Sequence, residues 1–185
     1  MSQKCIFIGF GKQAQEYAKV FKILNIKISS IFVRNKKKYN KYKKEYLIDK
    51  IETDLSKCLN KNNYDFIMVM LPWNIIEIIL PIVIKNSKKK LIFSEKPVSL
   101  SLKKLRYLTN ICTEYNKNVY VLYNRRFYEV FKKTQKYLKN NRLLHFKMTI
   151  NENEKELIKR KSRKIIGNIK YHITSHWIDL VMWLL

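Results

Sequence analysis

The sequence predicts an α/β fold: a doubly wound parallel sheet with helices on both faces. Three observations carry that expectation. Short, β-rich apolar runs alternate with amphipathic helical stretches through roughly the first 120 residues. The run YDFIMVML (64–71) is continuously apolar, as strands buried on both faces of a parallel sheet are. The first apolar run also ends in a glycine-rich turn that opens directly into a helix.

Taken in order, KCIFIG (4–9) reads as a strand. Residues 12–24 carry Ala14, Tyr17, Ala18, Phe21 and Leu24 at helical spacing. IKISSIFV (26–33) reads as a second strand and the basic stretch 36–46 as a helix. TDLSKCLNK offers Thr53 or Asp54 as a helix cap. After the strand 64–71, Pro72 starts another helix, and KLIFS (90–94) is a strand. SLSLKKLRYLTNICTEY (99–115) reads as a capped amphipathic helix, and NVYVLY (118–123) as a strand. Six strands are expected in all, and these runs place five of them. Right-handed crossovers would put ligands at the carboxyl ends of the strands. The pattern changes after Tyr123. A helix over about 126–140 leads to one strand-like run, LLHFKMTIN, then a polar stretch (151–170) and a final helix. The expected division is therefore 1–122 and 123–185, the second part being the truncated start of an α+β domain.

The chain has 185 residues, 46% of them apolar, which is enough for a real core. Its formal charge of +25 raises nucleic acid or an anionic surface as partners. The lysines, however, spread along the whole chain, densest at 34–44, 88–90 and 159–164. No helix-turn-helix, zinc-finger or RNA-binding aromatic pattern accompanies them, so no specific nucleic acid is expected. Cys5, Cys58 and Cys112 are odd in number and lack CxxC spacing, which reads as reduced thiols in a cytoplasmic protein. No signal peptide is visible. The apolar stretch 66–84 is broken by Pro72, Asn74, Glu77 and Pro81, so it reads as a strand running into a helix and not as a membrane span.

Chemistry concentrates in a few places. GFGKQA is a G-x-G-x-x-A segment after the first strand. Gly9 permits a tight turn, Gly11 lets a pyrophosphate approach the backbone, and Ala14 keeps helix and strand close. With Lys12 and Gln13 they form the candidate phosphate-binding segment, where helix-terminal amides and the helix dipole favour an anion. The second strand ends in Arg34, followed by Lys36–Lys38, where an acid would favour NAD. Arginine can pair with a 2′-phosphate and stack on adenine, so NADP is favoured over NAD. Leu71 and Pro72, at the end of the strand 64–71, are further candidate cofactor contacts. EKP (95–97) sits at the carboxyl end of another strand, and YNRRF begins at Tyr123. In the last helix His172, His176 and Asp179 share one face, while Ile173, Trp177, Leu180, Val181 and Leu184 share another. H-x-x-x-H spacing can bind zinc from one helix face, but no cysteine or HExxH segment supports it, and no metal is expected.

GFGKQA, EKP, YNRRF and SHWID, in this order and at these spacings, resemble the glucose–fructose oxidoreductase/inositol dehydrogenase family (Gfo/Idh/MocA) along essentially the whole chain. That resemblance implies a Rossmann fold and NAD(P)-dependent oxidation or reduction of sugars, polyols or nucleotide sugars. It implies that Lys96 hydrogen-bonds the substrate hydroxyl and stabilises a developing alkoxide. Glu95 would hold the ribose and nicotinamide side, Asn124 and Arg126 would line the cleft, and Arg126, His172 and Asp179 are candidate substrate contacts. His176 would be the general acid/base. Two departures stand out. His172 occupies a place where many members have aspartate, and Ile76 stands near a place where many have histidine. The resemblance also implies a longer second domain that covers the substrate, of which residues 123–185 would supply only the beginning. Apolar area left without that cover makes a homo-oligomer a candidate assembly. Two other classes of function remain open at this point: a dinucleotide-binding protein without turnover, and a basic nucleic-acid-binding protein.

Overall fold

The computed structural model describes residues 3–60, 63–141, 145–151 and 169–185, with side chains in the last segment described from Thr174 onward. The chain divides into two compact units, residues 1–122 and 123–185.

The first unit holds a six-stranded sheet in the order β3-β2-β1-β4-β5-β6. The strands are β1 (Lys4–Ile8), β2 (Lys27–Phe32), β3 (Ile48–Glu52), β4 (Phe66–Val69), β5 (Leu91–Ser94) and β6 (Asn118–Val121). Every pairing is parallel. The connecting helices are α1 (Lys12–Ile23), α2 (Lys36–Glu45), α3 (Leu55–Leu59), α4 (Trp73–Asn86) and α5 (Leu102–Glu114). The winding runs outward from β1 through β2 to β3, and outward from β4 through β5 to β6 in the other direction. This is the doubly wound arrangement expected, with its switch between β1 and β4.

Side-chain alternation explains the continuous apolar runs. Cys5 and Phe7 of β1 join Phe66 and Met68 of β4 in one buried cluster with Ala14, Ala18 and Phe21 of α1. Ile6 and Ile8 join Ile67 and Val69 in a second cluster with Ile76, Leu80, Val83 and Ile84 of α4. Both faces of the central strands are therefore covered, so neither face needs polar residues. On the first face, edge-to-face and tilted aromatic contacts run from Phe10 through Phe7, Phe21, Phe66 and Phe93 to Tyr120. Each such pair contributes about 1 kcal/mol beyond its area. The stretch 66–84 is β4 running into α4, and no described helix is long and apolar enough to cross a membrane.

Helix ends follow the sequence closely. Asn35, Asp54 and Ser101 cap α2, α3 and α5 through their side chains. Of the two candidate caps, Thr53 and Asp54, the aspartate accepts from Ser56 and Lys57. Asn25 and Asn116 take positive φ just beyond α1 and α5, where asparagine is tolerated.

Two departures from expectation have physical causes. The strand β3 lies in a stretch that the apolar pattern does not mark. Its buried residues Ile48 and Ile51 are three apart, and it pairs on one side only, with Asp49 and Lys50 exposed. The strand-like run 143–151 is not a strand over its described part, 145–151. No described strand lies beside it to pair with, and an isolated strand is not stable in water. The polar stretch predicted over 151–170 falls almost wholly outside the described residues.

The second unit contains a short 3-10 turn (Asn124–Phe127), α6 (Glu129–Asn140) and α7 (Ile169–Leu184). The predicted helix over about 126–140 is thus a tight turn followed by a true helix. Within this unit Leu180 and Leu184 of α7 are buried, and Gln135 of α6 donates to the Trp183 carbonyl at 3.1 Å.

Leu47 turns the chain between α2 and β3 with φ 52° while its side chain is 63% exposed. A left-handed conformation costs a residue with a Cβ about 1 kcal/mol. Leu47→Gly is expected to raise stability by about 1 kcal/mol, read as a shift in the urea midpoint with unchanged slope.

Candidate functional site

The carboxyl ends of β1 and β4 lie side by side, with Ile8 opposite Val69. Gly9 follows β1 with φ +91°, and a Cβ there would lie 2.6 Å from both the Leu71 Cδ2 and the Met70 carbonyl oxygen. Only glycine fits this approach. The turn is tied down by the Gly9 amide donating to Phe32 (2.9 Å) and the Met70 amide donating to Ile8 (2.8 Å). Phe10 points inward, 1% exposed, and meets Phe7, Tyr39, Tyr42 and Tyr46. Gly11 then caps α1, and a Cβ at Gly11 would meet nothing within 4 Å. The space over Gly11 is open, and the first amides of α1 lack intrahelical acceptors. Lys12 and Gln13 are exposed on that first turn. An open, positively polarised helix start of this kind has the chemistry to take an anion, and a side chain at Gly11 would enter that open space.

The other candidates of this unit gather at the same edge of the sheet. Arg34 is exposed two residues past β2, beside the start of α2. Leu71 is half-buried, and Pro72 caps α4. The Glu95 amide donates to Val69 at 2.8 Å, which holds the end of β5 against β4. The Tyr17 phenol of α1 is pushed up to about 12, by burial first and then by the Glu95 charge. Lys96 is 5% exposed, and its peptide bond to Pro97 is cis. Ile76, near the place where the resemblance would put a histidine, is fully buried in the core.

Beyond Pro97 the chain is gripped by an acid the sequence did not single out. Glu77 of α4 accepts from Ser99 Oγ at 2.7 Å, from the Leu100 amide at 3.2 Å and from Lys104 Nζ at 2.5 Å. Burial works against its ionisation, but the hydrogen bonds from Lys104, Ser99 and Leu100 win and hold its carboxyl below the usual value. In the sequence Glu77 registers only as an interruption of an apolar run.

In the second unit, Asn124 is exposed on the 3-10 turn. Arg126 makes a two-pronged ion pair with Asp179 of α7, including Nε to Oδ2 at 2.6 Å. Hydrogen bonding to Asp179 raises the Arg126 pKa further. These two residues, each a candidate for the substrate cleft, thus bind one another and fasten the turn to α7. Arg125 lies over the Trp177 ring at 3.6 Å. His176 is half-buried and meets the Tyr123 ring edge-on at 5.6 Å. Burial raises the Tyr123 pKa, the Ser175 hydrogen bond lowers it, and Asp179 raises it. The side chain of His172 lies outside the described residues. Lys96 belongs to the first unit and His176 to the second. Among the described residues no group of three His, Cys, Asp or Glu is placed to hold a metal ion.

Residues 3–123 match the model of the Gfo/Idh/MocA oxidoreductase family, described as having an NAD-binding Rossmann fold. No curated protein matches in sequence. Among solved structures, a probable dehydrogenase from Thermotoga maritima is similar at TM-score 0.67 and 23% identity, covering 74% of this chain and 41% of that one. A scyllo-inositol dehydrogenase from Lactobacillus casei, solved with NAD(H) and scyllo-inositol, is similar at TM-score 0.67 and 17% identity, covering 76% and 42%. A putative NADPH-dependent oxidoreductase from Desulfitobacterium hafniense is similar at TM-score 0.68 and 17% identity, covering 75% and 40%. The chain spans about two fifths of the length of these structures.

The two glycines should separate under mutation. Gly9→Ala is expected to cost about 2 kcal/mol or more in chemical denaturation, since both backbone and neighbours resist a Cβ. Gly11→Val is expected to leave stability within about 1 kcal/mol while weakening dinucleotide binding at least about tenfold in a fluorescence titration. Glu77 carries a pH signature. Its folded pKa is lowered, so its contribution is present above the unfolded value and lost as pH falls through the folded one. The stability gap between wild type and Glu77→Ala should therefore be full near neutral pH and close in acid, followed by urea midpoints across pH.

Proposed function

We propose, since this chain belongs to the Gfo/Idh/MocA family of oxidoreductases with an NAD-binding Rossmann fold, that it serves NAD(P)-linked oxidation or reduction of a sugar-like or polyol alcohol. The observation that carries this reading is the open ledge over Gly11 at the switch point, with the buried Lys96 at the end of β5 on the same edge. Gly9, Gly11, Lys12 and Gln13 would hold the pyrophosphate, with Leu71, Pro72 and Asn124 lining the cofactor. When bound, the nicotinamide supplies the hydride chemistry. Glu95 would hold the ribose side.

Lys96 would donate a hydrogen bond to the substrate oxygen. Its ammonium gains strength there because the side chain is withdrawn from water, and it stabilises negative charge as it develops on that oxygen. His176 would exchange the hydroxyl proton, a task for which imidazole is the side chain of choice near neutral pH. Tyr123 beside the ring, with Arg126 and Asp179 clamping the helix that carries it, would hold the imidazole in place. The bound scyllo-inositol of the Lactobacillus casei structure supports a polyol-type substrate class. Arg34, standing where an acid would select NAD, supports NADP as the preferred cofactor.

Titration of the chain with NADPH and NADH, followed by nucleotide fluorescence, tests the reading. Saturable binding with NADPH tighter is expected, and Arg34→Asp should reverse the preference by about tenfold. Absence of binding to either nucleotide overturns it. With a sugar or polyol turned over, Lys96→Ala should abolish turnover and leave cofactor affinity within about threefold; unchanged turnover removes the role given to Lys96.

A further inference from the structure

Lys96 occupies a short stretch of chain fixed at both ends. On one side the Glu95 amide is bonded to β4, and β5 is paired on both edges. On the other side, only two residues beyond Pro97, Ser99 is 6% exposed and bonded to Glu77. Glu77 is the one acid of α4, and its side chain is 10% exposed. The Ser99 hydroxyl also accepts from the Ser101 amide at 3.0 Å, and Ser101 caps α5. The loop 98–101 is therefore closed around a single carboxylate. Two of the donors to that carboxylate come from the loop itself and the third, Lys104, from the first turn of α5.

We infer that Glu77 is a positioning residue: its carboxylate, through Ser99 and Leu100, fixes the Lys96–Pro97 turn and with it the place of the Lys96 ammonium. The chemical use of that ammonium rests on the function proposed above, but the fixing itself does not. Lys104 contributes least to it. Its side chain is 57% exposed, and an ion pair so placed gains little. The bonds to Ser99 and to the Leu100 amide are shielded, and each is made to a charged acceptor, where loss of one is worth more than tenfold in an equilibrium.

The test reads Lys96 directly. Full-length wild type, Glu77→Ala, Glu77→Gln, Ser99→Ala and Lys104→Ala would be labelled briefly with acetic anhydride at a temperature where each is folded. Acetylation of every lysine would then be read by peptide mass spectrometry. Glu77→Ala should raise acetylation of Lys96 about tenfold and leave that of the exposed Lys103 unchanged. Glu77→Gln keeps an acceptor for Ser99 and Leu100 and should stay within about twofold of wild type, a rescue that general loosening of the fold would not produce. Ser99→Ala should give an intermediate rise, and Lys104→Ala almost none. If Glu77→Ala does not fold, the contrast between Ser99→Ala and Lys104→Ala decides. Unchanged Lys96 labelling in Glu77→Ala and Ser99→Ala, or equal rises for Gln and Ala at position 77, overturns the inference. NADH titration of the same variants separates this result from the proposed function. A wild type that binds no NADH but shows Glu77-dependent labelling supports the positioning role and removes the cofactor reading. Binding weakened about fivefold by Glu77→Ala and restored by Glu77→Gln supports both.

Discussion

Contact between the turn after β1 and the end of β4 is the constraint on which the rest of the first unit depends. At Gly9 the backbone passes so close to Met70 and Leu71 that a single methyl group would collide with both. That closeness lets the chain reverse within two residues, sends α1 back along the sheet and leaves its first amides facing outward at the switch point. The approach is held from both sides by backbone hydrogen bonds to Phe32 and Ile8. Phe10 adds a third hold, because its ring is drawn into a cluster with tyrosines of α2 and with Tyr46 beyond it. α2 itself has no fully buried residue, so its attachment runs through Tyr39 and Tyr42. The candidate phosphate ledge and the seating of α2 are thus two outcomes of one packing solution.

Much of the first unit was legible because its information is local. A parallel sheet buried on both faces writes continuous apolar runs, and helix caps and glycine turns mark the ends. What escaped reading is non-local. β3 is a one-sided edge strand whose inward residues Ile48 and Ile51 mimic helical spacing. Phe10 stands between two glycines, where the motif assigns it no task, yet its buried ring anchors the turn. Glu77 and Ser99 lie 22 positions apart, and no pattern along the chain announces their meeting. Arg126 and Asp179, 53 positions apart, were each legible as polar residues near a cleft but not as partners of one another. Motif reading identifies residues at which chemistry is concentrated; it does not reveal which polar groups have already satisfied each other.

The second unit shows how a small assembly can hold one imidazole. The short turn Asn124–Phe127 contributes two arginines with different tasks. Arg125 stacks on Trp177, and Arg126 locks onto Asp179. Both contacts are made to α7, on either side of Ile178, so the helix is held against rotation as well as sliding. Tyr123 then closes on the His176 ring from the side. Planar guanidinium groups suit both tasks, and lysine would serve neither as well.

The exposed cations around the ledge bear on how fast an anion arrives there. Lys12, Arg34 and Lys36–Lys38 line the carboxyl edge near the glycine turn, on a chain whose net charge is +25. α2 begins with three lysines and no acid, against the sense of its own dipole, so its first turn adds only positive charge to this edge. A nucleotide bearing several negative charges would be drawn toward that edge over a distance set by the ionic atmosphere, roughly 10 Å at 0.1 M salt. Encounter would therefore slow as salt is added while departure changes far less, and the protein would hold its ligand by frequent capture as much as by slow release.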